Sequence, residues 1–489
     1  MNFSPQSREK HIISYKCNFT INLAWARITA VYNDEENMII VKFGGTSVSS
    51  KSRVLNICEI VSKRVAERPV VVVSALAGVT DLLLSITKFP QKSKNNISKV
   101  KELHVDLIKG IWKEPSSINR IVSYIDSVLA EVRKLVKNHN LAKSSVDKLS
   151  SFGEIMSSYV VSEALKQSGV NSQQVLATEL IVTDSNFGEA EFIPEATQMK
   201  AKQIIRPLLN NGIVPVVTGF IGSTKDGRTT TLGRGGSDYS ASILGYCLNA
   251  DEIEIWTDVD GILTADPRLV KTARLIDKIS YREASELATF GAKVLHPRAI
   301  RPAIKAKIPV RILNSLNPES KGTVILEKTG SKNSITAISS KTKVTLVNIY
   351  STEMLLSKGF LARIFEVFAR YNISIDLVSV SEVSVSVTLD NKDSIGSVIK
   401  ELSAFASVSA SEDFGVVSLI GEGVVASSRN ISRIFDTLDK EGILVKMVSL
   451  GSTDINVSLI INHEKLEDAV RILHDQILLS NTNYIGAKR

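Results

Sequence analysis

Cysteine is scarce and poorly placed for chemistry. The chain has three in 489 residues, Cys17, Cys58 and Cys247, far apart and without the C-x-x-C spacing of a zinc or redox site. A disulfide scaffold is excluded, and a reducing compartment is expected. Long apolar runs are missing too. The longest, Pro69 to Thr80, is strand-sized and stops at Asp81, well short of the roughly 18 to 20 residues that cross a bilayer, so a soluble chain is expected. Charge of one sign is nowhere concentrated. The net charge is +8, but the basic residues are spread along the whole length, so nucleic-acid or membrane binding gains little support and anionic small-molecule substrates fit as well. Residues 1–36 lack the apolar core and small-residue cleavage site of a secretory signal. They are basic, hydroxyl-rich and poor in acids, which leaves an organelle transit peptide open beside a disordered tail. A cytoplasmic location is expected, an organelle being the alternative.

Ordinary glycine, proline, apolar and charged content describes a globular chain, and its length predicts about three domains. Met38 to Phe43 (MIIVKF) is an apolar run stopping at Gly44 and Gly45, a buried strand entering a turn. Val54, Leu55, Ile57, Ile60, Val61 and Val65 then recur at helical spacing up to Pro69. Pro69 to Ala75 (PVVVVSA) is too apolar for a wet face, so it belongs inside a sheet covered on both sides. A helical stretch over 95–170 is followed by strand candidates at Ile213–Thr218 and Glu252–Thr257. Strands alternating with helices predict a layered α/β domain. It is expected to end near Leu326, before a polar linker at 328–342.

The remainder repeats itself at an offset of 70 residues: Arg363, Ile364 and Phe365 fall on Arg433, Ile434 and Phe435, and Val383, Val385, Val387 and Leu389 fall on Thr453, Ile455, Val457 and Leu459. Each copy reads strand, turn, helix, strand, strand, a small α+β module whose sheet is open on one face. At the same offset Asp376 faces Lys446 and Glu382 faces Ser452. Only the first copy therefore keeps acids suited to a dibasic ligand such as lysine. Gly421 to Ala426 (GEGVVA) matches a dinucleotide fingerprint, but it occupies the place of Ser351 to Leu356 in the repeat, with too little chain after it for a dinucleotide-binding domain.

Four segments carry chemistry. In Lys42 to Ser47 (KFGGTS), a strand-end lysine and two glycines precede a helix, and backbone amides with an ammonium attract phosphate there. Alone this is an ordinary strand-to-helix connection, and it is not the GxxxxGK[ST] loop. In Gly227 to Ser240 (GRTTTLGRGGSDYS), Arg234 stands among glycine amides, the combination that binds a carboxylate or phosphate. In Ile255 to Arg268 (IWTDVDGILTADPR), Asp258 or Asp260 suits a ribose hydroxyl or magnesium and Arg268 a phosphate; in Phe290 to Pro297 (FGAKVLHP), Lys293 is another phosphate partner, whereas His296 reads as structural.

Together these segments, with SFGEIMS around Glu154 and DPR at Asp266, resemble the amino-acid kinase superfamily and within it the aspartokinases, in order over about residues 38–470. The resemblance implies an α/β amino-acid kinase fold, a layered sandwich with a mainly parallel central sheet, followed by two α+β (ferredoxin-like) ACT modules that can interleave. The expected division is an N-terminal extension at 1–36, the catalytic domain at 37–327, the linker at 328–342, and modules at 343–410 and 411–489. The implied activity is transfer of the ATP γ-phosphoryl, with Mg²⁺ on its phosphates, to the β-carboxylate of L-aspartate, the first step toward lysine, threonine and methionine. No protein metal ligands are implied.

By the family motifs, Lys42 contacts the transferring phosphoryl, Asp238 orients it, and Phe43, Gly44, Gly45, Thr257, Asp258, Leu263, Arg268, Lys293 and Val294 receive ATP. Leu263 departs from relatives that place an aromatic there. Thr80, Glu154, Arg234, Gly235, Gly236 and Ser237 receive aspartate, Glu154 at its ammonium and Arg234 at a carboxylate. Met354, Ser357, Phe360, Leu361, Ser374, Ile375, Asp376, Ser381 and Glu382 line an inhibitor site, with L-lysine expected and threonine the runner-up. A homodimer or dimer of dimers through the ACT modules is expected. The competing readings are a related carboxylate kinase and an inactive amino-acid sensor.

Overall fold

The computed structural model describes residues 37–137, 141–290, 295–330, 335–355, 357–390, 394–450 and 455–478. Lys293, Val294 and the extension at 1–36 lie outside them. The first eleven strands are β1 (Ile39–Phe43), β2 (Val70–Val73), β3 (Ser172–Val175), β4 (Val182–Thr183), β5 (Val214–Thr218), β6 (Ile221–Thr224), β7 (Thr229–Thr231), β8 (Glu252–Thr257), β9 (Lys278–Ser280), β10 (Val310–Asn314) and β11 (Thr323–Leu326). Eight of them form one sheet in the order β3-β5-β2-β1-β8-β10-β11-β9. Its pairings are parallel except β10 with β11.

The uninterrupted valines of β2 now have a physical reason. Val70 and Val72 pack into the core under helices Pro194–Asn210 and Gly236–Leu248, while Val71 and Val73 pack into the core under helices Lys51–Arg64, Ser93–Ile111, Pro115–Leu135 and Lys143–Gln167. A strand with apolar cores on both faces has no position for a polar residue. Strands β4, β6 and β7 form a small separate sheet, rich in threonine, beside the main one.

The C-terminal strands are β12 (Ala337–Tyr350), β13 (Leu377–Val380), β14 (Ser384–Leu389), β15 (Ser407–Ile420), β16 (Val445–Leu450) and β17 (Asn456–Asn462), in the order β13-β14-β12-β15-β17-β16. Both repeat copies thus share one antiparallel sheet. Two sequence expectations are corrected here. The linker read over 328–342 gives way to strand at Ala337, and the cut expected between residues 410 and 411 falls inside β15. The reason is that β12 and β15 pair from Ala337↔Ile420 to Tyr350↔Ser407, through register shifts near Val344. Each long strand serves both copies, and a polar composition cannot disclose a ladder whose partner lies about 70 residues away.

Helices Phe360–Arg370, Ile395–Leu402, Ser428–Lys440 and Leu466–Leu473 cover one face of this sheet. On the other face Val344, Leu346, Leu377, Val416, Met447 and Ile460 close over Phe290 of the catalytic part. Glu283 ties the same junction. Its carboxylate accepts from Ser280 N–H and hydroxyl at its own helix N-terminus (both 2.9 Å), from Thr336 Oγ1 (2.6 Å) and from Glu422 N–H (3.1 Å). No helix among the described residues is long and apolar enough to cross a membrane.

Candidate active site

Strands β1, β2, β5 and β8 run parallel side by side, and the segments leaving their C-terminal ends meet. Ser74 N–H donates to Phe43 O (3.2 Å), Gly219 N–H to Val73 O (2.8 Å) and Gly44 N–H to Trp256 O (3.3 Å). In open parallel sheets this edge is where ligands bind, because helix N-termini and strand-ending loops converge there. A cavity of about 330 Å³ opens at this edge. It is lined by Lys42, Ser74, Thr80, Glu154, Phe220, Asp238 and the turn Gly233–Ser237.

Lys42, 8% exposed, sits at the end of β1 and points its ammonium at Asp238 Oδ1, 2.5 Å away. Asp238 lies in the first turn of helix Gly236–Leu248, where the helix dipole favours a negative charge. Glu154 enters from helix Lys143–Gln167 and is almost fully buried. Ala75 N–H donates to its Oε1 (3.3 Å), but its Oε2 is buried with no partner. Burial pushes this carboxyl up to about 8, against the pull of its backbone hydrogen bonds. A buried carboxylate without a counter-ion is costly, and that cost is what raises it. Arg234 also lines the cavity, exposed and without an ion-pair partner among the described residues. It is held in a turn with Gly235 at φ +69, where a Cβ would meet His296 Cβ at 2.9 Å. Glycine is required there by backbone and by space.

The same close fit operates at Gly45, whose Cβ would lie 2.8 Å from the Ala75 carbonyl. The Gly44 amide is spent on Trp256, so it ties β1 to β8 and does not face a phosphate in this structure. The residues expected to receive ATP are only partly assembled. Thr257 ends β8 beside the Lys42 turn, and its hydroxyl donates to Asp258 (3.3 Å). Asp258 and Asp260 are both exposed, and Asp260 accepts from Asn314 (2.8 Å) and Asn317 (3.2 Å). Leu263 is half-buried and bridges to Leu275. Arg268 is clamped by Asp266 (2.6 Å) and its side chain is 82% exposed, away from the cavity.

Sequence reasoning missed Ser74, Phe220 and Asp147. Ser74 directly follows β2 and Phe220 lies two residues beyond β5, and that strand-end position was the available signal. Phe220 has φ +71, a conformation uncommon for a non-glycine residue, and its ring stands where a Cβ on Gly236 would be. Asp147 lies two turns before Glu154 on one helix and accepts from Gly188 N–H (2.9 Å) and Thr231 N–H (2.8 Å). No local pattern reveals such tertiary anchoring.

The residues expected at an inhibitor site cluster around β13. Ser374, Ile375 and Asp376 precede it, Ser381 and Glu382 form the turn after it, and Met354, Ser357, Phe360 and Leu361 belong to the segment entering helix Phe360–Arg370. Ser381 and Ser384 hydroxyls meet across that turn at 2.7 Å. Phe360 is committed to the module core, edge-on to Phe405. Asp376 already has a cation: Lys341 Nζ lies 3.3 Å away and also binds Asp390. Burial and the neighbouring Asp390 carboxyl push Asp376 up to about 6, against Lys341.

Residues 37–314 match the amino acid kinase family, and residues 347–400 and 417–477 match the ACT domain. The chain is 36% identical to aspartokinase 1, chloroplastic, of Arabidopsis thaliana, over 89% of this chain and 79% of that one. Two structures of Escherichia coli aspartokinase III are similar over 90% of this chain and 99% of theirs. One is in complex with aspartate and ADP (35% identity, TM-score 0.76), the other with lysine and aspartate (36%, TM-score 0.79). The chain belongs to the aspartokinases of the amino acid kinase family.

Proposed function

We propose that this chain transfers the γ-phosphoryl of ATP to the β-carboxylate of L-aspartate, giving aspartyl phosphate and ADP. The observation that carries the reading is the presence, in one cavity, of a buried Glu154 carboxyl whose Oε2 has no partner and an Arg234 guanidinium without an ion-pair partner among the described residues. A free amino acid offers the matching ammonium and carboxylate, and the related E. coli enzyme has been seen with aspartate and ADP. A carboxylate nucleophile is ionised at neutral pH, so no general base is needed. What remains is bringing anions together and offsetting their charge, which is positioning and electrostatics.

In this reading Lys42 stabilises charge on the transferring phosphoryl and Asp238 aims its ammonium. Glu154 takes the aspartate ammonium, Arg234 a carboxylate, and Thr80, Ser237 and the glycine turn close the pocket. ATP lies toward Thr257, Asp258 and Gly45, and Mg²⁺ rides on its phosphates. Leu263 contributes aliphatic contact in place of a ring. Arg268 reaches a phosphate only if it exchanges its Asp266 partner for one.

Regulation by L-lysine is the second part of the proposal, supported by the Asp376 carboxylate and by the E. coli relative seen with lysine. Binding there shifts the balance between two arrangements of differing activity. β13 is an edge strand with Val378 and Val380 exposed, so a second copy of the chain is the proposed cover, and light scattering with and without lysine tests it. The deciding experiment is ATP- and Mg²⁺-dependent aspartyl hydroxamate formation, trapped with hydroxylamine, across a lysine titration. Activity that falls with lysine supports both parts. Activity indifferent to lysine removes the effector, and no activity at all favours an amino-acid sensor. A reporter carrying residues 1–36 decides between cytoplasm and organelle.

A further inference from the structure

Arg298 is absent from every motif considered so far, yet its guanidinium is among the most heavily engaged in the molecule. It leaves the turn Pro297–Ile300 and is only 16% exposed. Its Nε donates to Glu191 Oε1 (3.1 Å), and its Nη2 donates to the Glu189 carbonyl (2.9 Å) and the Ala190 carbonyl (3.0 Å). The guanidinium also lies over the Tyr239 ring, 5.4 Å from its centre. Tyr239 in turn donates its hydroxyl to the other oxygen of Glu191 (2.5 Å). The three side chains close a triangle.

The triangle stands directly behind the cavity. Tyr239 follows Asp238 in the first turn of helix Gly236–Leu248, and its N–H donates to the Gly235 carbonyl (2.9 Å). Arg298 Nη1 lies 3.3 Å from where a Cβ on Gly233 would stand. The guanidinium therefore presses on both ends of the turn that presents Arg234, Ser237 and Asp238. That turn has two glycines at positive φ, Gly233 and Gly235, and such a segment does not hold one conformation by itself.

We infer that Arg298 is a positioning residue for the aspartate side of the active site, holding the Gly233–Asp238 turn through Tyr239 and Glu191. The inference rests on the aspartate-kinase reading above. An exposed ion pair contributes little, but here one planar cation makes three hydrogen bonds and a ring contact at once, a combination that suits arginine and not lysine. Its own turn does not depend on it, because Ala299 and Ile300 are buried in the core.

The test is steady-state kinetics of the full chain with aspartate and ATP varied separately, together with aspartate binding by calorimetry. Arg298→Ala is expected to lower kcat/KM for aspartate by about tenfold or more, as small displacements of a substrate clamp do, with KM for ATP within about twofold of wild type. Arg298→Lys is expected to lie between the two, and Tyr239→Phe to shift the same parameter less. Adding Glu191→Gln to Arg298→Ala should cost little further, since the two act as one unit. An unchanged aspartate kcat/KM in folded Arg298→Ala overturns the inference. So do additive losses, or equal rises in both KM values accompanied by a lower Tm. If Arg298→Ala does not fold, Arg298→Lys and Tyr239→Phe decide by the same readout. Wild-type protein that neither turns over nor binds aspartate overturns the kinase reading and this inference together, whereas active wild type with unaffected variants overturns this inference alone.

Discussion

The Lys42 ammonium and the Asp238 carboxylate lie 2.5 Å apart in a pocket where neither side chain is more than 14% exposed. One comes from the end of a central strand and the other from the first turn of a helix far along the chain. The strand fixes the height of the lysine, and the carboxylate fixes its direction.

Replacing Lys42 with methionine removes the charge that faces the transferring phosphoryl while keeping the stem. The expected loss is about 10²- to 10³-fold in kcat, the range for deleting one preorganised electrostatic group, with aspartate affinity by calorimetry little changed. A Lys42→Met enzyme with wild-type kcat would remove the residue from the reaction. Asp238→Asn is expected to lose less, because the ammonium stays but is no longer aimed.

Glu154 sets a pH dependence whose sign is definite. Its carboxyl is raised from an ordinary 4.5 to about 8 by burial, so near neutrality the empty site holds a proton that an incoming ammonium must displace. The apparent KM for aspartate should therefore rise as pH falls from about 8 toward 6, by up to about tenfold per unit. Glu154→Gln should raise KM at pH 8 and flatten the profile. A flat wild-type profile would show that the ammonium is received elsewhere.

The same shift acts on stability. The folded state keeps the Glu154 proton that the unfolded chain releases near 4.5, so stability from this group is present at low pH and is lost as pH rises through about 8. Thermal unfolding of wild type and Glu154→Gln across that window reads it directly. Parallel curves would contradict the assignment.

Asp376 is expected to govern lysine sensitivity. Asp376→Ala should abolish inhibition while turnover stays within about twofold of wild type, since the residue lies outside the catalytic cavity. Because Asp376 is raised to about 6, inhibition by lysine should also weaken as pH drops through that value and the carboxyl becomes neutral. Undiminished inhibition in Asp376→Ala would move the effector site.

Glu283→Ala leaves the Ser280 amide, the Thr336 hydroxyl and the Glu422 amide without their acceptor at the junction of the two parts. A loss of about 3 kcal/mol in urea unfolding is expected. A midpoint equal to wild type would show that Phe290 and its neighbours hold the junction alone.

Much of the site was legible before the fold. Lys42, Arg234 and Asp238 stand in local contexts, a strand end and a glycine turn, whose chemistry can be read residue by residue, Glu154 was reached only through the family resemblance, and the cavity contains all four. The alternation in β14 and β17 likewise announced a sheet covered on one face and joined elsewhere. Arg268 was legible only as a charge. Asp266, two residues away, captures it, and competition between a near partner and a distant ligand depends on geometry. Asp147 and Arg298 carried no signal, because their roles lie in contacts made across the fold.

The sequence by itself determined the two-sided burial of β2, the order of the anion-binding turns and the duplication of the C-terminal module, since periodicity and local chemistry are properties of short stretches. Only the tertiary structure decided that β12 and β15 run through both copies, that Lys341 already occupies Asp376, and that Arg298 stands behind the Arg234 turn. Those are pairings between residues remote in the chain. Their energies arise from close approach and exclusion of water, which exist only after the chain has folded.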